Sequence, residues 1–298
     1  MVTWYALWST VISLAVHIAL ILILTNWLDM GYQGVVIATS SQFMVRFLVM
    51  FLLTELRDDV RKFDDVHLFS KETITNLKPL VSKSFAALLL GVWAWWAFDI
   101  LTLMATYRGS AEASAQIILR SVGMFTFMIP FGLAGGCNIL FGKYIGRKNV
   151  AIAMHYYRVS QLIACIAASI QIMILVLGKD LVIKFFTSDP EIAAEISSAW
   201  LVSLLFTIFE AIQIVSGTFI RGTGKQCGGA FLTTSAYLVL GIPSAWYMTF
   251  YRDMGIVGLW YGQMLSCIFL CVAYNIFIVC IDWEKLFVEI EERRIVEN

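Results

Sequence analysis

Asp99, Arg120 and Glu210 stand inside stretches that are otherwise apolar. Glu210 lies within a run from about residue 192 to 220, and no basic residue occurs between Glu191 and Arg221. A charge in hydrocarbon costs at least a few kcal/mol. Such a residue either works on ions or substrates, or pairs with a neighbouring helix to fix packing. An unpartnered carboxylate in low dielectric can carry a proton near neutral pH, stay neutral through half of a transport cycle and release the proton to the cytosol. Gln213, one turn further on the same helical face, can orient Glu210 or touch a substrate. Glu210 is therefore expected to couple ion movement to substrate movement, with Asp99 as a structural or cation-attracting group.

Asp99 precedes Arg108 by nine residues and Arg120 follows Glu112 by eight. At 1.5 Å per residue both lie about 12–13 Å below the same surface, on consecutive antiparallel helices. They are expected to pair, because neither should stay unpartnered in hydrocarbon. The run V-W-A-W-W-A-F-D puts Trp95 and Trp96 beside Asp99. Aromatic faces next to a carboxylate suit organic cations. The same rings also serve as bundle packing or interfacial anchors, and both uses stay open.

The elements that must hold these side chains are membrane spans. Of the 298 residues, 60% are hydrophobic and the mean hydropathy is +0.80, more than a soluble domain can hide. Apolar runs long enough to cross a bilayer occur at roughly 5–26, 32–55, 79–106, 113–141, 151–177, 192–220, 227–250 and 254–281. The fold class is all-α membrane protein, a polytopic helical bundle of about eight transmembrane helices. The first run lacks a basic leader and a small-residue cleavage site, so it reads as a helix rather than a signal peptide. Arg57, Arg61, Lys62, Lys143, Arg147, Lys148, Arg221, Lys225 and Lys285 fall on one side, against Arg108, Lys179, Lys184 and Arg252 on the other. That bias places both termini in the cytosol. Formal net charge is zero, with no basic field for nucleic acid.

No metal site or cofactor is expected. The six cysteines have no matching histidines and read as small thiols packed between helices. His17 reads as a hydrogen-bonded core histidine. H-E-x-x-H and G-x-S-x-G are both missing, which argues against an intramembrane enzyme. Pro130 should kink its helix, and Gly132, Gly135 and Gly136 should then allow close helix approach. Asp189-Pro190-Glu191 reads as a helix start.

From Phe209 the sequence reads F-E-A-I-Q-I-V-S-G-T-F-I-R-G-T-G-K-Q, then C-G-G-A and Y-L-V-L-G-I-P. Glu210, Gln213, Arg221, Gly222, Gly224 and Pro243 at these spacings resemble the tenth and eleventh helices of the multidrug and toxin extrusion (MATE) transporter family, eukaryotic branch. Thr233 stands where that pattern usually has Asn. Trp95, Trp96 and Asp99 resemble its E-W-W-x-[FY]-E run, with Ala94 in place of the first Glu. Met128, Pro130, Gly132, Gly142, Gly146 and Asn149 resemble its eighth helix. Arg120, Pro130, Arg221, Gly222 and Gly224 take structural roles in this reading.

The resemblance covers nearly the whole chain but matches only the last eight of twelve helices. It implies residues 1–55 as the last two helices of an N-terminal lobe. Residues 56–78 follow as a charged cytosolic linker, 79–281 as a six-helix C-terminal lobe, and 282–298 as a cytosolic tail. Met1 then starts a truncated product or an incomplete gene model. The implied function is an antiporter that exports organic cations or xenobiotics in exchange for H+ or Na+. It would work as a multi-pass protein of the plasma, vacuolar or another endomembrane. The alternatives are a flippase for lipid-linked substrates and a lobe that does not transport. The expected partners are a small organic cation, the coupling ion and the lipid bilayer.

Overall fold

The structure is a computed structural model that describes residues 2–55, 77–288 and 291. The charged segment 56–76 and most of the tail beyond residue 288, both assigned a cytosolic role above, lie outside the described residues. The chain divides into two compact units, Met1–Leu77 and Lys78–Asn298.

The first unit is a helical hairpin. Helix α1 (Val2–Leu22) runs into a π-helical turn (Ile23–Trp27), and α2 (Gly31–Glu55) packs back along it. His17 Nδ1 lies 3.1 Å from the Ala38 carbonyl across the hairpin. This is the hydrogen-bonded setting expected of a histidine in a membrane helix.

The second unit holds α3 (Leu77–Arg108), α4 (Ser110–Gly146), α5 (Val150–Leu177), the short α6 (Lys179–Phe186), α7 (Pro190–Gly222), α8 (Gln226–Tyr251) and α9 (Gly255–Val279). Eight of the described helices, two in the first unit and six in the second, are long and apolar enough to cross a membrane. Their bounds follow the apolar runs read from the sequence to within a few residues, except that α4 continues to Gly146, five residues past the run read to 141. Chain ends and turns are built as their residues dictate. Asp189 caps α7 by accepting from the Glu191 backbone N–H at 2.8 Å, with Pro190 in the first turn. Asn149 caps α5 through the Ile152 N–H at 3.1 Å. Gly224 takes φ +75° in the turn between α7 and α8, a conformation that side chains disfavour.

α7 is the central post. It packs against α4, α5 and α9 and is buried on most of its circumference from Ile196 to Ile220. One apolar cluster around Phe141, Tyr157, Phe219 and Tyr274 fills the half of the unit that holds the α4–α5 turn. A second, around Leu101, Trp200, Phe206 and Trp260, fills the half that holds the α3–α4 turn. Phe98, Phe206 and Trp260 meet edge-on with centroids 5.7–5.8 Å apart, and so tie α3, α7 and α9 together.

α4 runs unbroken through Pro130. A proline has no N–H, so the Thr126 carbonyl one turn earlier loses its intrahelical donor. Gln171 of α5 supplies the replacement, its Nε2 donating to the Thr126 oxygen at 3.1 Å. Gln171→Leu should therefore strand a buried carbonyl and cost about 1–3 kcal/mol. Thermal unfolding in detergent should show the loss. The loss should shrink when Pro130→Ala restores the backbone donor, and equal penalties in both backgrounds would refute the link.

Gly132, Gly135 and Gly136 do not mediate the close helix approach expected of them: a Cβ added at any of the three meets nothing within 4 Å. Gly135 borders the cavity of the second unit. The close approaches lie instead in the α8–α9 hairpin. A Cβ on Gly262 would sit 2.5 Å from Ala245, and one on Gly258 2.8 Å from the Met248 backbone. The cysteines also divide. Cys137 and Cys267 are packed inside, while Cys227 and Cys280, at helix ends, are exposed.

Candidate functional site

Residues spaced 3, 4, 7, 8 and 11 after Glu210 share one face of an α-helix. On α7 that face carries Glu210, Gln213, Ile214, Gly217, Thr218 and Arg221, and all six line a single cavity of ≈ 200 Å³ within the second unit. The opposite wall comes from α3 and α4. It contributes Trp95 and Phe98, Arg120, Phe127 and Phe131, and Asn138. Tyr274 of α9 closes one side. Gly217 is small because the Tyr274 ring lies over it: an added Cβ would be 3.3 Å from the ring.

Glu210 is 8% exposed. Among the described residues its carboxylate has no hydrogen-bond or ion-pair partner. It lies close enough to the Tyr237 hydroxyl and the Cys267 thiol to act on both electrostatically. Tyr237 is delivered by a π-helical turn in α8 (Ala236–Gly241), a device that re-aims side chains and recurs at functional sites. Gln213, also buried, lies beside the Tyr274 hydroxyl. That hydroxyl shares a hydrogen bond with Thr233 of α8, at the position where the resemblance noted an exchange for Asn.

Arg120 Nη1 donates to Asp99 Oδ1 at 2.6 Å, so the two charges at matching depth do pair. The guanidinium also stands 6.0 Å over the Phe98 ring. Arg120 lines the cavity, and Asp99 holds it from outside the lining. The tryptophans separate. Trp95 enters the lining and meets Phe127 edge-on at 5.7 Å, whereas Trp96 turns away and packs edge-on against Trp93 at 5.4 Å. Of the residues read as structural, Arg221 lines the cavity, Gly222 packs against Phe141, Gly224 makes the turn and Pro130 stays in α4. Sequence reasoning missed Asn138, Thr218, Phe127, Phe131 and Tyr274. Thr218 was within reach of the helical spacing from Glu210; the rest sit on other helices and carry no local signal.

Across α5, α7 and α9 lies a second polar layer. Tyr157 donates to Asn275 Oδ1 at 2.8 Å, and Gln161 Nε2 donates to Ser216 Oγ at 2.7 Å and to the Tyr157 hydroxyl at 3.0 Å. At the far end Arg108 joins Asp253 at 2.8 Å and Glu112 at 3.6 Å, pinning the α3–α4 turn to the α8–α9 turn.

The chain is similar to known proteins along most of its length. The chain is 29% identical over 292 residues to multidrug and toxin extrusion protein 2 of Homo sapiens, covering 95% of this chain and 47% of that protein. It is 28% identical over 272 residues to multidrug and toxin extrusion protein 1 of Xenopus tropicalis, covering 91% and 47%. The chain thus spans about half the length of the curated relatives it matches. The crystal structure of the eukaryotic MATE transporter AtDTX14 superposes with a TM-score of 0.88 at 22% identity, over 96% of this chain and 64% of that one. A multidrug resistance MATE family transporter in an outward-facing conformation gives 0.73 at 19% identity, over 90% and 60%. These likenesses establish the fold, and the eight apolar helices make the chain a multi-pass membrane protein. The MatE family model matches residues 87–247, more than half of the 298, so this chain belongs to the MatE family.

Proposed function

We propose that the chain forms the cation-coupled lobe of a secondary transporter that exports small organic cations or xenobiotics in exchange for H+ or Na+. One observation carries this reading: Glu210 lines an aromatic-walled cavity, buried and without a partner among the described residues. A carboxylate in that position is compensated by a cation, which can be the coupling ion or the positive group of a substrate. Exchange between the two is antiport. The matched relatives are named for multidrug and toxin extrusion, which supports the substrate class. In this reading residues 79–281 are one six-helix lobe, residues 1–55 the end of the other, and 56–78 the cytosolic linker. The protein resides in the plasma membrane or an endomembrane such as that of the vacuole.

Proteoliposomes holding the chain, loaded with a fluorescent organic cation and given an imposed pH gradient, should move the dye. Movement should stop when nigericin collapses the gradient. A parallel series with a Na+ gradient identifies the ion. Dye movement indifferent to either gradient would reject antiport.

Orientation follows from the Lys/Arg asymmetry. A glycosylation tag inserted near Arg108 or Lys184 should be modified, and one near Asp64 should not. A gel-shift assay in microsomes reads both, and the reverse pattern would overturn the topology.

A further inference from the structure

The charges in the cavity are not those of a simple cation site. Its lining includes two guanidinium groups, Arg120 and Arg221, against the single carboxylate of Glu210. Arg120 is already committed to Asp99 at 2.6 Å. Arg221 has no salt bridge among the described residues and is exposed. It lies eleven residues beyond Glu210, three turns along the same face and about 16 Å away along the helix.

The surroundings of Arg221 fit an anion. Asn138 of α4 and Thr218 line this end of the cavity and can donate hydrogen bonds. The Tyr274 hydroxyl is close enough to Arg221 to feel its charge. Among the described lining residues Glu210 is the only acid. The aromatic wall of Trp95, Phe127 and Phe131 runs along the other side.

Building on the transporter reading, we propose that the Arg221 end of the cavity is a subsite for an anionic group, a carboxylate or sulfonate. The preferred substrates would then be dipolar aromatic molecules rather than simple cations. The positive part faces Glu210 and the aromatic wall, while the acidic part is held by Arg221 with Asn138 and Thr218. A guanidinium–carboxylate hydrogen bond is charge-assisted and geometrically selective, and its loss typically costs about tenfold or more in affinity.

The matched probes are rhodamine 123, a cation, and rhodamine 110, the same dye with its ester replaced by a free carboxylate. Fluorescence anisotropy with the full chain in phosphatidylcholine nanodiscs gives both Kd values. The expected result is that rhodamine 110 binds about tenfold more tightly. Arg221→Gln should bring the two Kd values within about twofold of each other, and Arg221→Lys, which keeps the charge but not the planar fork, should keep only part of the preference. Equal binding of the two dyes to the wild type, with both weakened by Glu210→Gln, would overturn this inference and leave the transporter reading standing. Binding of neither dye would overturn both. Loss of the preference when phosphatidylglycerol is added to the nanodiscs would assign the subsite to a lipid headgroup and overturn the proposal.

Discussion

Glu210→Gln is expected to leave the chain folded and inserted while abolishing gradient-driven dye movement, a loss of at least about a hundredfold. The amide matches the carboxylic acid in size and hydrogen-bonding shape but neither takes up nor releases a proton and attracts no Na+. Glu210 is 8% exposed with no partner among the described residues. Removing its charge therefore breaks no ion pair, and thermal stability should hold or rise, because burying an unpaired charge is costly. The two readouts must separate: the same sample should be lost in transport and sound in melting. Unchanged export with unchanged pH dependence would reduce Glu210 to packing. Loss of folding would point to a partner held in the native state.

Asp99→Asn should lower the stability of the folded chain. It leaves the Arg120 guanidinium, now 2.6 Å from a carboxylate, without a counter-charge at a depth about 12 Å below the surface. Insertion scales put an unpaired arginine deep in a helix at about 2.5–3.5 kcal/mol. Asp99 is 61% exposed and the guanidinium already stands 6.0 Å over the Phe98 ring, so the expected loss is about 1–3 kcal/mol. The diagnostic comparison is with Asp99→Asn combined with Arg120→Gln. Removing both charges together is often near neutral, whereas removing one partner is not. The double variant should melt above the single one. A double variant no better than the single would show that the pair contributes nothing beyond its parts.

Three features are legible in the amino-acid sequence because they depend only on local chemistry. Spans follow from apolar runs, since a stretch of about twenty such residues has nowhere to go but a bilayer. Depth follows from counting along a helix, and depth with antiparallel order is enough to pair Asp99 with Arg120. Helical spacing likewise puts Glu210, Gln213 and Arg221 on one face. The interruptions are less readable. The short α6, Lys179–Phe186, and the π turns of α8 leave little trace in an apolar pattern, because hydrophobicity does not distinguish one helical winding from another.

Only the tertiary structure decided which face of each helix meets which neighbour, because that rotation is set by packing between side chains far apart in sequence. Trp95 and Trp96 are adjacent, so about 100° separates them on the helix. Neighbouring Phe127 and Trp93 determine that one lines the cavity and the other does not. The glycine-rich part of α4 promised close packing, yet the tight fit belongs to Gly258 and Gly262, where α8 folds onto α9. Gln171 answers Pro130 from 41 residues away, and Tyr274 reaches the cavity from the last helix. A proline's missing donor and a cavity's missing wall are visible in sequence only as needs. Which side chain meets them depends on how the helices turn against one another.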